Sequence, residues 1–206
     1  MTHREPLLEP VAIGDLRPTQ ITVGYREVNE KRKAWRERDG VDGSEFLGRH
    51  MIPVLKGPKG RPYVIDHHHL ARALLDEGVK KIAVNVVADL SKLGKDEFWV
   101  LCDNKGWCHP YDAQGVRRGM DAIPKDIASL KDDPYRSVAG ELRRQGGYAK
   151  DTTPFSEFIW ADFLRRRIKP AAVAEDFDKA MAKALVLAKS LAAAHLPGWC
   201  GPVADN

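Results

Sequence analysis

The chain opens on a loose alternation of apolar and polar positions from Glu9 to Leu16, which ends at Arg17-Pro18 and predicts a short strand followed by a turn. Past Val23-Gly24 the spacing lengthens. Tyr25 to Arg38 sets Val28, Ala34 and Trp35 among strong helix formers, and Asp39-Gly40 with Asp42-Gly43 stop the helix this predicts. A second, shorter helix is expected through Phe46 and Leu47. Two apolar runs follow, Met51-Ile52-Pro53-Val54-Leu55 and Pro62-Tyr63-Val64-Ile65. The turn cluster Gly57-Pro58-Lys59-Gly60 separates them, so they read as a hairpin. Leu70, Ala73, Leu74 and Leu75 then give a buried helical stripe from His69 to a C-capping Gly78, and Lys81 to Ala88 is the clearest strand.

Beyond about residue 90 the pattern reads as helix or loop. Asp96 to Leu101 is a short helix, and Asn104 to Met120 has no period and reads as an ordered loop. Asp133-Pro134 opens a helix that reaches Arg144 and stops at Gly146-Gly147. Thr153-Pro154 opens another, with Phe155, Phe158, Ile159, Phe163 and Leu164 as its apolar stripe, and Ala174 to Ala194 forms the last and longest. The fold class is therefore α+β. A small mixed sheet with helices occupies residues 8–90, and a helical extension packed on it occupies 91–206.

The 206 residues suffice for a real core. No apolar run reaches the ~18 residues of a spanning helix, and the N-terminus lacks an apolar signal region, so the chain is read as cytoplasmic. Cys102, Cys108 and Cys200 have no metal-finger spacing and fit a reducing compartment. The net charge of +4, from 33 basic and 29 acidic residues, is a small excess. It speaks only weakly for nucleic acid, and the basic clusters Lys31 to Arg38 and Arg165 to Lys169 fit solvated helix faces.

Strand, then Asp66-His67-His68-His69, then helix is the pattern that can carry chemistry. A helix N-terminus offers free amides and the positive end of a dipole, so it attracts phosphate or carboxylate, and histidines there donate to oxygens or move protons. Asp66 also suits the N-cap position, accepting from the amide of His68 or His69. Adjacent histidines rarely reach one ion and no H-x-x-x-H pair exists, so no metal site is assigned.

The run Tyr63 to Leu74 around Asp66-His67-His68-His69 resembles the D-G-H-H-R signature of ParB-type domains, and Pro18 to Gly24 with Glu27 and Val28 is similar to the opening of the ParB-like nuclease branch of the ParB/sulfiredoxin superfamily. The resemblance covers about the first 90 residues, with Leu196-Pro197-Gly198-Trp199 fitting the same branch. It implies a ParB/sulfiredoxin-like sheet module whose Asp66, His68 and His69 contact phosphate. Two positions depart from the signature: His67 stands for its glycine, and Leu70 for its arginine, removing a bidentate phosphate contact that Arg72 or Arg61 would have to replace. The reactive cysteine of sulfiredoxins has no counterpart in this turn.

Relatives in the superfamily hydrolyse CTP or use ATP or ADP, and the free-serine kinases use an early glutamate as base. The resemblance therefore implies Mg²⁺ with ATP or ADP, and Glu27 or Glu30 as that base. The expected catalytic set is Glu27, Asp66 and His68, with His67, His68, His69 and Arg72 on phosphate. Gln20 would orient the ligand, and His109 belongs to a loop, Trp107 to Tyr111, that either closes over the site or anchors the two parts of the chain. The leading expectation is a nucleotide-dependent phosphotransferase or phosphohydrolase acting on a nucleotide or small phosphorylated ligand. The alternatives are a ParB-like nuclease or DNA-binding protein, and a nucleotide sensor without turnover.

Overall fold

A computed structural model of the chain describes residues 8–37 and 51–202; the helix expected through Phe46 and Leu47 lies outside the described residues. Strands β1 (Leu8–Ala12), β2 (Arg17–Pro18), β4 (Ile52–Lys56), β5 (Pro62–Val64) and β6 (Lys81–Asp89) form one mixed sheet in the order β1-β6-β4-β5-β2. The β4–β5 hairpin is antiparallel, as its turn cluster predicts, and Lys59 and Gly60 turn it with positive φ of 63° and 69°. β6 runs parallel to β4 and antiparallel to β1.

Helices α1 (Tyr25–Arg36) and α2 (His68–Asp76) bury their apolar stripes against the sheet, where Val28, Leu70 and Leu74 meet Ile52, Val54 and Val84. A register shift between Val54 and Leu55 lets β4 feed a second cluster, in which Leu55 and Tyr63 pack on Phe98, Trp99 and Cys102 of α3 (Lys95–Asn104). Both Cys102 and Cys108 are buried, and burial pushes each thiol up to about 12, so neither is a reactive thiolate.

A two-residue strand, β7 (Lys131–Asp132), pairs in parallel with β3 (Thr22–Val23), which corrects the expectation that only helix and loop follow residue 90. Two residues cannot show a period, so this pairing left no trace in the sequence. Directly after it Asp133 caps α4 (Pro134–Arg144), accepting from the Tyr135 amide at 3.0 Å and pairing with Arg165 at 2.9 Å.

The C-terminal core gathers α4, α5 (Ser156–Arg165), α6 (Pro170–Glu175) and α7 (Phe177–Lys189) around Trp160, which stacks on Tyr148 at 4.3 Å. Two expectations are corrected here. Trp160 is fully buried and donates to the Pro197 carbonyl, which turns Ile159 outward, so Ile159 is not part of the stripe. The long helix from Ala174 is interrupted at Asp176, whose extended backbone and carboxylate cap α7 through the Lys179 amide.

Gly24 joins the two parts of the chain. A Cβ there would sit 2.7 Å from the Ser137 hydroxyl and 2.8 Å from its backbone nitrogen, so only glycine lets α1 start this close to α4.

Candidate functional site

His67 adopts φ 64°, ψ 27°, the left-handed conformation, and is itself the N-cap of α2. Asp66 is one residue too early for that role, and its carboxylate accepts from the His67 amide instead, correcting the expected cap to His68 or His69. The left-handed bend is the physical reason a glycine suits this place in the D-G-H-H-R signature. A non-glycine residue there costs about 1–2 kcal/mol, and a glycine gives back about 0.5–1 in backbone entropy. His67→Gly is therefore expected to match or slightly exceed the parent in stability, whereas the β-branched His67→Val loses about 1–2 kcal/mol. Urea unfolding of the two variants checks this order.

The next two imidazoles point inward. His68 is 3 % and His69 7 % exposed. His68 Nε2 accepts the Thr19 amide at 3.1 Å, and His69 Nε2 accepts the Gly24 amide at 2.9 Å. Each therefore fastens α2 to the β2–α1 segment as a neutral ring. Burial pulls His68 down to about 3 and His69 well below the ordinary histidine range, the latter aided by the charge of Arg136. In this state neither Nε2 is free to donate to a phosphate.

The backbone of the same turn is free. The amides of His68 and His69 find no acceptor among the described residues, and both residues line a polar cavity of about 450 Å³. A second helix N-terminus reaches this cavity: α5 begins at Ser156 after Phe155, which also holds a left-handed φ, of 58°. Two helix dipoles thus converge on one space.

Cations from the helical region complete it. Arg136 and Arg143, both on α4, and Lys150 line the cavity opposite Lys31 of α1. Arg136 is 7 % exposed and lies 3.3 Å from Glu27 and 4.0 Å from Glu157; Arg143 lies 3.3 Å from Glu157. Gly140 makes room, since a Cβ there would stand 3.0 Å from the Arg136 guanidinium and 3.4 Å from the Glu27 carboxylate. Burial works against a charge on Glu27, yet His69, Arg136, Lys31 and Arg144 together hold its carboxyl down at about 2.

The lining contains as many carboxylates as cations, so formal charge alone does not choose a ligand. Hydrogen-bond accounting does. Glu27 and Glu157 face arginines, Asp66 takes the His67 amide, and Asp151 takes the Thr153 amide. One donor is left over: Nε of Arg136 is buried without an acceptor, while Nη1 of Arg136 and Nε of Arg143 touch Glu27 and Glu157 at 3.3 Å out of hydrogen-bond alignment. An acceptor-rich anion is the complement of such a set.

Among the sequence-predicted residues, Gln20, Glu27, Asp66, His67, His68 and His69 come together at the cavity. Arg72 does not join them; it pairs with Asp76 and donates to the carbonyls of Ala128 and Leu130. Glu30 pairs with Arg144 on another face, and Arg61 follows the hairpin turn away from the cavity. His109 stacks on Tyr111 and against Phe155 and Phe158 behind the cavity wall, and burial pulls it down to about 3. That is the anchoring alternative for its loop.

The sequence singles out only Arg143, with Arg144, as a phosphate contact of the nucleic-acid alternative, and not Arg136 or Lys150. Arg136, Gly140 and Arg143 stand at i, i+4 and i+7, one face of α4, and a glycine between two arginines on one stripe was the available signal. No described group of three or more His, Cys, Asp or Glu is placed to hold a metal ion. No described helix is long and apolar enough to cross a membrane.

A family model described as "Putative ParB-like nuclease" matches residues 9–166. The chain belongs to this ParB-like family. The matched span runs beyond the sheet module through α4 and α5, so the family includes the elements that bring Arg136, Arg143 and the second helix N-terminus to the cavity. The crystal structure of protein Atu1540 from Agrobacterium tumefaciens is 55% identical, with a TM-score of 0.89 over 96% of this chain and 100% of that one. The C-terminally truncated chromosome-partitioning protein ParB from Caulobacter crescentus, complexed to the centromeric parS site, is 15% identical over 88% of this chain and 98% of that one. Its TM-score is 0.31, too loose a likeness to compare site residues. No curated protein matches the chain.

Proposed function

We propose that the cavity binds the phosphate of a nucleotide unit. The observation that carries this reading is that Arg136, with its buried Nε unaccepted, and Arg143, misaligned on Glu157, line one cavity with two helix N-termini. A space of about 450 Å³ suits a single nucleotide unit and excludes a duplex. In this reading Arg136 and Arg143 grip phosphate oxygens, the amides of His68 and His69 complete the cradle, and Gln20 orients the ligand. Glu27 holds Arg136 in place. With its carboxyl near 2, Glu27 is too weak a base to accept a proton near neutral pH, so its part is to position rather than to abstract.

Glu27 and Glu157 face arginines, and Asp66 and Asp151 each give one oxygen to a backbone amide, so the cavity carboxylates form no preassembled set for Mg²⁺; ATP or ADP with Mg²⁺ stays one of the ligands to be assayed. The family description favours a second reading, in which the phosphate belongs to a nucleic-acid strand and the chain cleaves it. Under that reading the cavity holds the strand's phosphate and Asp66, at its mouth, is the carboxylate available to activate water.

Thermal unfolding in inorganic phosphate, mononucleotides and ATP or ADP with Mg²⁺ tests the binding claim. At about a hundredfold over Kd the ligand adds about 2.7 kcal/mol, a rise of about 5–10 °C for a chain of this size. Arg143→Gln should erase most of that rise while leaving the unliganded Tm nearly unchanged. No rise with any of these ligands overturns the reading.

A further inference from the structure

We infer that single-stranded nucleic acid seats one nucleotide in the cavity and lays the following nucleotides along a second, open groove lined by Arg166, Arg167 and His195. This rests on the cavity reading and adds a surface that it does not require. The groove, of about 750 Å³, lies against α5 and residues 194–197, and Thr153 lines both the groove and the cavity, so the two are neighbours across that residue.

Its charges are available. Arg166 and Arg167 are exposed, and each spends Nη1 on a main-chain carbonyl, that of Asp162 at 2.8 Å and that of Phe163 at 3.0 Å. Neither pairs with a carboxylate among the described residues. The one carboxylate of the groove, Asp162, is held by Arg165 at 3.0 Å. The groove also has flat surfaces. The exposed Arg167 guanidinium lies 3.8 Å above the buried Phe163 ring, which holds its plane, the exposed His195 stands edge-on to the same ring, and Ile159 is 37% exposed beside them. Cations interleaved with stacking faces are what a single strand uses, phosphates on the charges and bases on the planes. A duplex offers no unstacked base and cannot enter the cavity at the groove's end.

The test uses the full chain and a 5′-phosphorylated, fluorescent oligothymidylate of about ten nucleotides, within the usual single-strand site size. Its anisotropy is compared with binding of thymidine monophosphate by thermal shift. Arg166→Glu with Arg167→Glu is expected to weaken the oligonucleotide tenfold or more. It should also lower the slope of log affinity against log salt by about 1.4, the share of two phosphate contacts on a single strand. Binding of the monophosphate should not change, which also shows that the variant is folded; the milder Arg166→Gln should give an intermediate loss. An unchanged oligonucleotide affinity and salt slope in the double variant overturns the inference. So does a parent chain that binds the oligonucleotide no more tightly than the monophosphate. In both of those outcomes monophosphate binding persists, so they leave the cavity reading standing. A parent chain that binds neither ligand removes the cavity reading and this inference with it.

Discussion

Acidification from pH 7 to about pH 5 is expected to remove about 6 kcal/mol of folding stability, above the ordinary range of the carboxylates. His68 and His69 are buried as neutral rings whose Nε2 atoms accept the Thr19 and Gly24 amides, and burial depresses both below the ordinary 6.5. The unfolded chain takes up protons below its histidine pKa and the folded chain does not. Stability is therefore full above pH 6.5 and falls as the pH drops toward the folded values, by about 2 kcal/mol per histidine at pH 5. His109, pulled down to about 3, adds to the same trend. Glu27 behaves oppositely: its folded value near 2 lies below its ordinary 4.5, so its contribution persists above 4.5 and is lost only below that. Urea midpoints at intervals from pH 7 to 5 check the slope. In His69→Gln, whose side-chain oxygen can still accept the Gly24 amide, the loss should shrink by about a third.

The second large effect concerns Arg136. Arg136→Met should destabilise the chain by about 3–5 kcal/mol, because it leaves the Glu27 carboxylate partly buried beside a neutral side chain. Glu27→Gln should cost less, since the half-exposed Lys31 is solvated, Arg144 keeps Glu30 and Glu141, and Arg136 keeps Glu157 at 4.0 Å. The two changes together should cost less than their sum by about 1–3 kcal/mol, the signature of groups in one network. A strictly additive pair would show that the 3.3 Å approach carries no energy. All variants containing Arg136→Met should lose the phosphate-induced rise in Tm, whatever their stability.

The sheet module was legible because its signals are local. The hairpin turn at Gly57 to Gly60, the stripe of α2 and the β6 run each occupy a few consecutive residues and agree with their surroundings. The Asp66 to His69 turn was likewise found at the strand-to-helix junction, and it does border the cavity. What the sequence could not supply was direction. Three consecutive histidines look like a row of donors, yet the backbone at His67 turns left-handed and drives the next two rings inward, where they receive hydrogen bonds instead of giving them. The arginines that do face the cavity come from α4, some seventy residues later, and nothing local in the sequence ties Arg136 or Arg143 to the histidine turn. The parallel pairing of β3 with β7 brings that helix beside the turn, and a two-residue pairing has no sequence period to reveal it.

The most direct measurement is a difference electron-density map from crystals soaked in thymidine monophosphate. Phosphate density is expected within hydrogen-bond reach of the Arg136 and Arg143 guanidinium groups and the amides of His68 and His69. An empty cavity at saturating ligand, or phosphate density elsewhere while those arginines stay on Glu27 and Glu157, would contradict the cavity reading.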